Sequence, residues 1–255
     1  MTLGLPLATL FAFLLVLARV AGLIAFLPVP GFRAAPDSLR AILAVTIAFA
    51  VFPVWPSLPK AEPSIAQLTV WAFAELGFGL AAGLAVSFLI EGFQVAAQIA
   101  AVHAGYGFAT IIDPTSEADS GVLQTVAALF SGILFFTSGM DRQIIRVLGE
   151  SFIKFPAGSW TPAAASLDGI VRLGSEMLSI GLRLALPVVA LLILIDFSLA
   201  LLGRVQQQLQ LLSLAFPAKM AAALGILAAL APAVPKLFSA AADHTLAVLW
   251  RALGS

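Results

Sequence analysis

Long apolar runs separated by short polar or proline-rich breaks set the plan of this chain. Gly4 to Leu27 is the first run, long enough to cross about 30 Å of hydrocarbon as a helix. Pro28-Val29-Pro30-Gly31-Phe32-Arg33 breaks it, and Pro36-Asp37 opens a second helix that Asp37 or Ser38 can cap. That helix is expected from about Leu39 to Phe52. Pro53, Pro56, Pro59 and Pro63, with Lys60 and Glu62, form the next connector. Ile65 to about Ala109 is the longest uninterrupted helical pattern; it contains no proline and exceeds one straight span. Val122 to Thr137 is apolar again and turns at Ser138-Gly139-Met140-Asp141. An amphipathic stretch carrying Arg142 and Arg146 follows and ends between Ser151 and Gly158. Trp160 to Ala165 reads as a loop, with Trp160 as an interfacial anchor. A helix from about Leu167 to Leu202 is expected to kink at Pro187. The last apolar segment, Leu211 to Phe238, is expected to break at Pro217, Pro232 and Pro235.

The polar residues inside these runs carry the functional signal. Arg19 either snorkels to an interface or is buried in a pairing role. Glu75, Gly79 and Gly83 recur at spacing four and share a face, and the two glycines let another helix approach closely. Ser87, Glu91, Gln94 and Gln98 form a second stripe. Unpaired polar groups in hydrocarbon are costly, so this stripe is solvated outside the bilayer, or it lines an intersubunit seam or an aqueous path. Asp196 lies among Leu194, Ile195, Phe197 and Leu199. Neither Arg183 nor Arg204 is well placed to pair with it on its own helix, which leaves a partner from another segment or chain, a protonated state, or water. Arg204 is followed by Gln206, Gln207, Gln208 and Gln210, either a plain turn or a set of donors and acceptors for a neighbouring backbone or wet path.

The most conspicuous break is central. Gly105-Tyr106-Gly107-Phe108 is small and aromatic, Ile111-Ile112 follows, and Asp113-Pro114 opens an acidic half that reaches Gly121. The glycines free the backbone, and Pro114 steers Asp113 away from helical geometry.

Composition narrows the class. Hydrophobic residues make up 61% of the 255, charged residues only 10%, and mean hydropathy is +1.07, well beyond one water-surrounded core. The chain is therefore expected to be all-α and embedded in a membrane. Thirteen basic and thirteen acidic residues balance, and nothing points to nucleic acid. With no cysteine and only His103 and His244, disulfides and thiolate metal sites are excluded, and no metal or cofactor is expected. The first apolar run lacks a basic stretch before it and is expected to be retained. His103, His244, Asp113 and Asp141 form no catalytic motif, so no enzymatic activity is expected.

A loop-charge count with the N-terminus inside puts Lys60, Arg142, Arg146, Lys154, Arg172, Lys236 and Arg251 on inner loops, and Arg33, Arg40 and Arg204 outside. Several of these residues lie within helices, and the five or six apolar segments differ greatly in length, so the count does not close. Some apolar surface is expected to be buried against other subunits rather than lipid.

At the central stretch a resemblance becomes specific. Gly105-x-Gly107-Phe108-Ala109-Thr110-x-x-Asp113-Pro114 resembles a segment of the FliR family, called SctT in injectisomes, an export-gate family of type III secretion. Arg19, Gly22, Pro30, Pro36 and Arg40 resemble its N-terminal pattern, and Glu75, Gly79 and Gly83 its Glu-x-x-x-Gly-x-x-x-Gly. Ser138-Gly139 with Ser151-Phe152 and Pro156, then Ala185-Leu186-Pro187, Asp196, Arg204, Gln208, Phe216-Pro217 and Lys219, follow in the family's order. The chain departs from the family at Gln207 to Gln210 and at Ser138, Met140 and Asp141.

The resemblance implies one domain over residues 1–255, with halves of roughly 1–104 and 122–255 around a plug loop at 105–121. It implies five to six long helices in kinked hairpins rather than a conventional polytopic bundle. It implies a flagellar gate subunit in the bacterial inner membrane at the basal body. Expected partners are FliP-like and FliQ-like chains, a FlhB-like switch subunit, lipid and unfolded proteins in transit. Gly105, Tyr106, Gly107, Phe108, Ile111, Ile112, Asp113, Pro114 and Gly121 would form the plug. Ser87, Glu91, Gln94, Gln98, Gln207, Gln208 and Gln210 would line a pore or seam. Glu75, Gly79, Gly83, Arg183, Pro187, Asp196 and Arg204 would serve packing or assembly. The alternatives are the equivalent injectisome subunit or a secondary transporter using Asp196, Arg183 and Glu91; no internal repeat supports the transporter.

Overall fold

The computed structural model describes residues 7–27, 36–56, 63–106, 122–161, 164–205 and 211–254. Among them the chain is all-α, as α1 (Leu7–Phe26), α2 (Asp37–Ala50), α3 (Ile65–Ala104), α4 (Val122–Thr137), α5 (Met140–Lys154), α6 (Ala164–Val205), α7 (Leu211–Leu230) and α8 (Val234–Leu253). A short 3-10 turn, Phe52–Val54, follows α2.

Backbone chemistry explains most of the boundaries. α3 stops at Gly105, which takes φ +88°, and Gly139 takes φ +72° between α4 and α5. Pro235 sits in the first turn of α8, where a missing N–H costs nothing.

Four expectations need correction. Neither Asp37 nor Ser38 caps α2: the cap position is Pro36, and Asp37 is already helical, its carboxylate 3.8 Å from Arg40 one turn on. Pro217 does not break α7 but lies inside it. A break does fall at the expected Pro232, in residues 231–233, but the helical chain does not end at Phe238: α8 continues to Leu253. Trp160 is buried rather than interfacial, standing edge-on to Phe78 at 5.6 Å between ring centroids.

Leu7–Phe26, Ile65–Ala104 and Ser166–Arg204 are each long and apolar enough to cross a membrane. The pairs α4/α5 and α7/α8 reach that measure only when each bent pair is taken as one span, which raises the number among the described residues from 3 to 5. The molecule is an integral membrane protein built partly of bent helix pairs rather than uniform spans.

Two compact units are present. The first comprises residues 1–88, 135–174 and 242–255. Its organising contact is α1 against the first half of α3. An added Cβ at Gly79 would lie 2.0 Å from the Arg19 carbonyl oxygen, at Gly83 2.5 Å from that of Leu23, and at Gly22 2.4 Å from that of Leu76. The two backbones therefore touch, which only glycine permits. α5 presents Met140, Ile144, Leu148, Ser151 and Phe152 to this core at helical spacing, with Arg142 and Arg146 exposed on its other side. Phe13, Phe49 and Trp55 join α1 to α2, and the Trp55 indole donates to the Ala48 carbonyl at 2.8 Å.

The second unit comprises residues 89–134 and 175–241. Its core is Ala100, Ala104, Val188, Leu192 and Ala223, with Tyr106, Ile195, Ile226, Leu227 and Leu230 packed around them. Small residues again set the helix spacing: an added Cβ at Gly181 would sit 2.8 Å from a Val95 methyl carbon and 3.1 Å from the Gly92 carbonyl oxygen.

Gly79→Ala is expected to cost about 1–3 kcal/mol, because the new methyl meets backbone that cannot move aside. Gly149→Ala, where nothing lies within 4 Å of the new carbon, is expected to be neutral or to gain about 0.5–1 kcal/mol from helix propensity. Thermal unfolding of the two variants in detergent separates these outcomes, and equal melting temperatures would rule out the close α1–α3 contact.

Candidate functional site

The first unit holds a fully buried arginine. Arg19 projects from α1 and is 0% exposed, as is Glu75 on α3. The Arg19 Nε–H donates to Glu75 Oε2. Nη1 donates to the Ser151 hydroxyl at 2.8 Å, and Nη2 to the Phe155 carbonyl at 3.0 Å. The other Glu75 oxygen accepts the Gly158 N–H at 2.9 Å. The guanidinium carbon also lies 4.4 Å from the Phe78 ring centroid and 4.2 Å from that of Phe152.

Each partner answers one physical demand. A charge inside apolar packing persists only when paired and hydrogen-bonded. The planar guanidinium provides a fork of donors and two faces for aromatic rings. Gly158 takes φ +78°, and an added Cβ there would lie 2.5 Å from the Trp71 ring, so glycine is needed both for the backbone turn and for space.

The buried alternative for Arg19 is thus the one observed. Glu75, read from sequence as part of a packing face, is also its ion partner. From sequence, Phe155 and Gly158 mark only the end of an amphipathic stretch, and Ser151 and Phe152 that end and a family motif, with no link to Arg19. The available signal was two opposite charges embedded in separate apolar runs, each beside close-packing glycines.

The remaining described candidates lie in the second unit, except Ser87, which belongs to the first. Gly105 backs onto the Phe216 ring, with an added Cβ only 2.7 Å from it. Tyr106 packs beside the alanine-rich core, its hydroxyl 3.5 Å from the Met220 carbonyl. Gly107, Phe108, Ile111, Ile112, Asp113, Pro114 and Gly121 lie outside the described residues, as do Gln207, Gln208 and Gln210. Along α3, Ser87, Glu91 and Gln94 are half-buried and Gln98 is exposed. Asp196 pairs with Lys219 of α7 at 2.9 Å, a partner from another segment of the same chain. Arg183, Pro187 and Arg204 are exposed on α6, which runs unbroken through Pro187. An apolar cavity of about 340 Å³ lies among Phe93, Ala97, Ala127, Val188, Leu227 and Ala231. No cluster of three metal-ligating side chains occurs among the described residues.

The model of a family described as bacterial export proteins, family 1, matches residues 10–245. The chain belongs to this family. The match takes in the Arg19 cluster, the central stretch and the Asp196–Lys219 pair. Among the family's relatives, the flagellar biosynthetic protein FliR of Escherichia coli K12 is 30% identical over 220 residues, 86% of this chain and 83% of that protein. Its counterpart from Aquifex aeolicus is 25% identical over 218 residues, 86% and 84% of the two chains. The Yop proteins translocation protein T of Yersinia pestis is 26% identical over 190 residues, 72% of each chain.

Arg19→Met is expected to destabilise the fold by about 3–5 kcal/mol, because it leaves Glu75 buried without its counter-ion. Arg19→Met/Glu75→Met is expected to cost clearly less than the two single changes together. A double-mutant cycle on thermal unfolding measures the difference; strictly additive losses would mean that the two side chains do not act as a pair.

Proposed function

We propose that this chain is a subunit of a flagellar type III export gate, helping to form and close the pore through which unfolded flagellar proteins cross the inner membrane. The single observation that carries the proposal is the match to flagellar relatives over 86% of the chain. The injectisome role is the second reading, because a virulence-system relative aligns over 72% of the chain; its shorter alignment ranks it behind the flagellar one.

In this role the chain performs no covalent chemistry and is not an enzyme. FliP-like and FliQ-like subunits are its neighbours, and a FlhB-like subunit sets what is exported. The central stretch from Gly105 to Gly121 closes the path, with Tyr106, Phe108, Ile111 and Ile112 as its bulk. What supports this is the composition of the stretch and the firm seat of its first two residues against Phe216 and the alanine-rich core.

Removing the gene is expected to abolish flagellar filaments and motility while leaving growth unaffected, and restoring it returns both. Within the assembled gate, deleting Ile111 to Ser120 is expected to raise small-ion conductance. A deleted gate that conducts no better than the intact one would refute the plug.

A further inference from the structure

α6 exposes a continuous apolar face. Leu186, Ala190, Ile193, Phe197 and Leu201 are all exposed and recur at spacings of three and four, which aligns them along one stripe. The opposite side of the helix buries Val188 and Leu192 in the core. Asp196 falls on the flank of the exposed stripe, about 100° around the helix from Phe197. Lys219 reaches it from the side of α7.

The ion pair is asymmetric. The Lys219 side chain is 15% exposed and that of Asp196 is 54% exposed. What the face presents outward is therefore an acceptor: a carboxylate bonded to Lys219 through one oxygen and about half exposed.

Lipid is a poor occupant for this face. The apolar run from Leu184 to Gly203 is bracketed by Arg183 and Arg204, both exposed, as expected for residues at the two edges of the hydrocarbon. At 1.5 Å per residue Asp196 lies about 20 Å from the first bracket and about 12 Å from the second. That is well inside the apolar layer, where an exposed carboxylate costs roughly 3 kcal/mol. A second copy of this chain across a twofold axis would place its own Asp196 stripe against this one and meet carboxylate with carboxylate.

We infer that this face of α6 is a docking surface for an apolar helix of a different chain, one that carries a single hydrogen-bond donor, such as Lys, Arg, Asn or Gln, opposite Asp196. It rests on the export-gate reading and adds to it a specific face and the chemistry of the neighbour. The stripe supplies packing area without polar atoms, and the half-exposed carboxylate sets register, since one donor on the incoming helix must fall opposite it.

The experiment places a photo-crosslinking residue at Phe197 in the full chain, co-expressed with the neighbouring gate subunits, and maps the adducts by mass spectrometry. The expected adduct is an apolar helical peptide from another chain bearing a donor within one turn of the crosslink. Asp196→Leu is expected to lower its yield about tenfold, the value of one charge-assisted hydrogen bond. Asp196→Leu also strands Lys219, so Asp196→Leu/Lys219→Met is measured beside it. Yield that stays low in the double variant supports a donor on the partner. Yield that returns to the unsubstituted level would assign Asp196 to internal pairing alone and overturn the proposal, as would adducts only with lipid or with a second copy of this chain. A chain that co-purifies with the gate subunits yet gives only lipid adducts sinks the docking face and leaves the gate reading standing. A chain that co-purifies with none of them sinks the gate reading itself.

Discussion

A fully buried guanidinium constrains most of the first unit. Arg19 requires an anion, further acceptors and close packing at once, and its own helix supplies none of them. Glu75 comes from α3, the Ser151 hydroxyl from α5, and the Phe155 carbonyl from the segment after it. α1 and α3 approach closely enough only because Gly22, Gly79 and Gly83 remove the side chains that would hold them apart. The segment after α5 turns back toward Glu75 because Gly158 adopts a left-handed backbone and offers its N–H. A buried ion pair is weak evidence of net stability. Its effect here is specificity, because no other register of α1 on α3 brings these groups together.

The second unit treats charge differently. Its core is largely alanine, valine and leucine, so helix spacing is set by small side chains rather than by a polar cluster. Its ion pair of Asp196 with Lys219 stays partly open. α6 also leaves Leu186, Ile193, Leu194, Phe197 and Leu201 uncovered. A chain that buries charge in one unit and leaves apolar surface with an open carboxylate in the other fits the proposed role beside neighbouring subunits. This is the division of labour expected of one subunit in a larger membrane assembly.

Much of this was legible in the sequence because it depends on local pattern. The helices around Ile65–Ala104 and Val122–Thr137, the Gly-x-x-x-Gly face and the turn at Gly139 all follow from periodicity and glycine placement. What was not legible depends on pairs distant along the chain. Glu75 read as packing because its partner is 56 residues away. Trp160 has the amphipathic character of an interfacial residue, and only the position of Phe78 turns it inward. α8 was cut short at Phe238 because Asp243, His244 and Arg251 interrupt the apolar pattern; Val248, Leu249 and Leu253 on its other face are buried all the same. Pro217 sits far enough into the first turns of α7 to look like a breaker, yet the helix continues through it.

The charge count that failed to orient the chain has a physical cause in the same helices. α3 has 40 residues and α6 has 42, so each is about 60 Å long, twice the hydrocarbon thickness. Neither can be treated as one span with a loop at each end. In α3 the segment before Ser87 holds Glu75 as its one acidic side chain, paired with Arg19, and the polar stripe begins directly after it. In α6 the order is reversed: Asp168, Arg172, Glu176 and Arg183 come first, and the apolar run from Leu184 follows. Each helix therefore carries charged and polar side chains along its length as well as at its ends, which a count of loop charges does not describe. A long helix can carry polar side chains in this way without exposing backbone, because the peptide groups of its interior are already bonded within it.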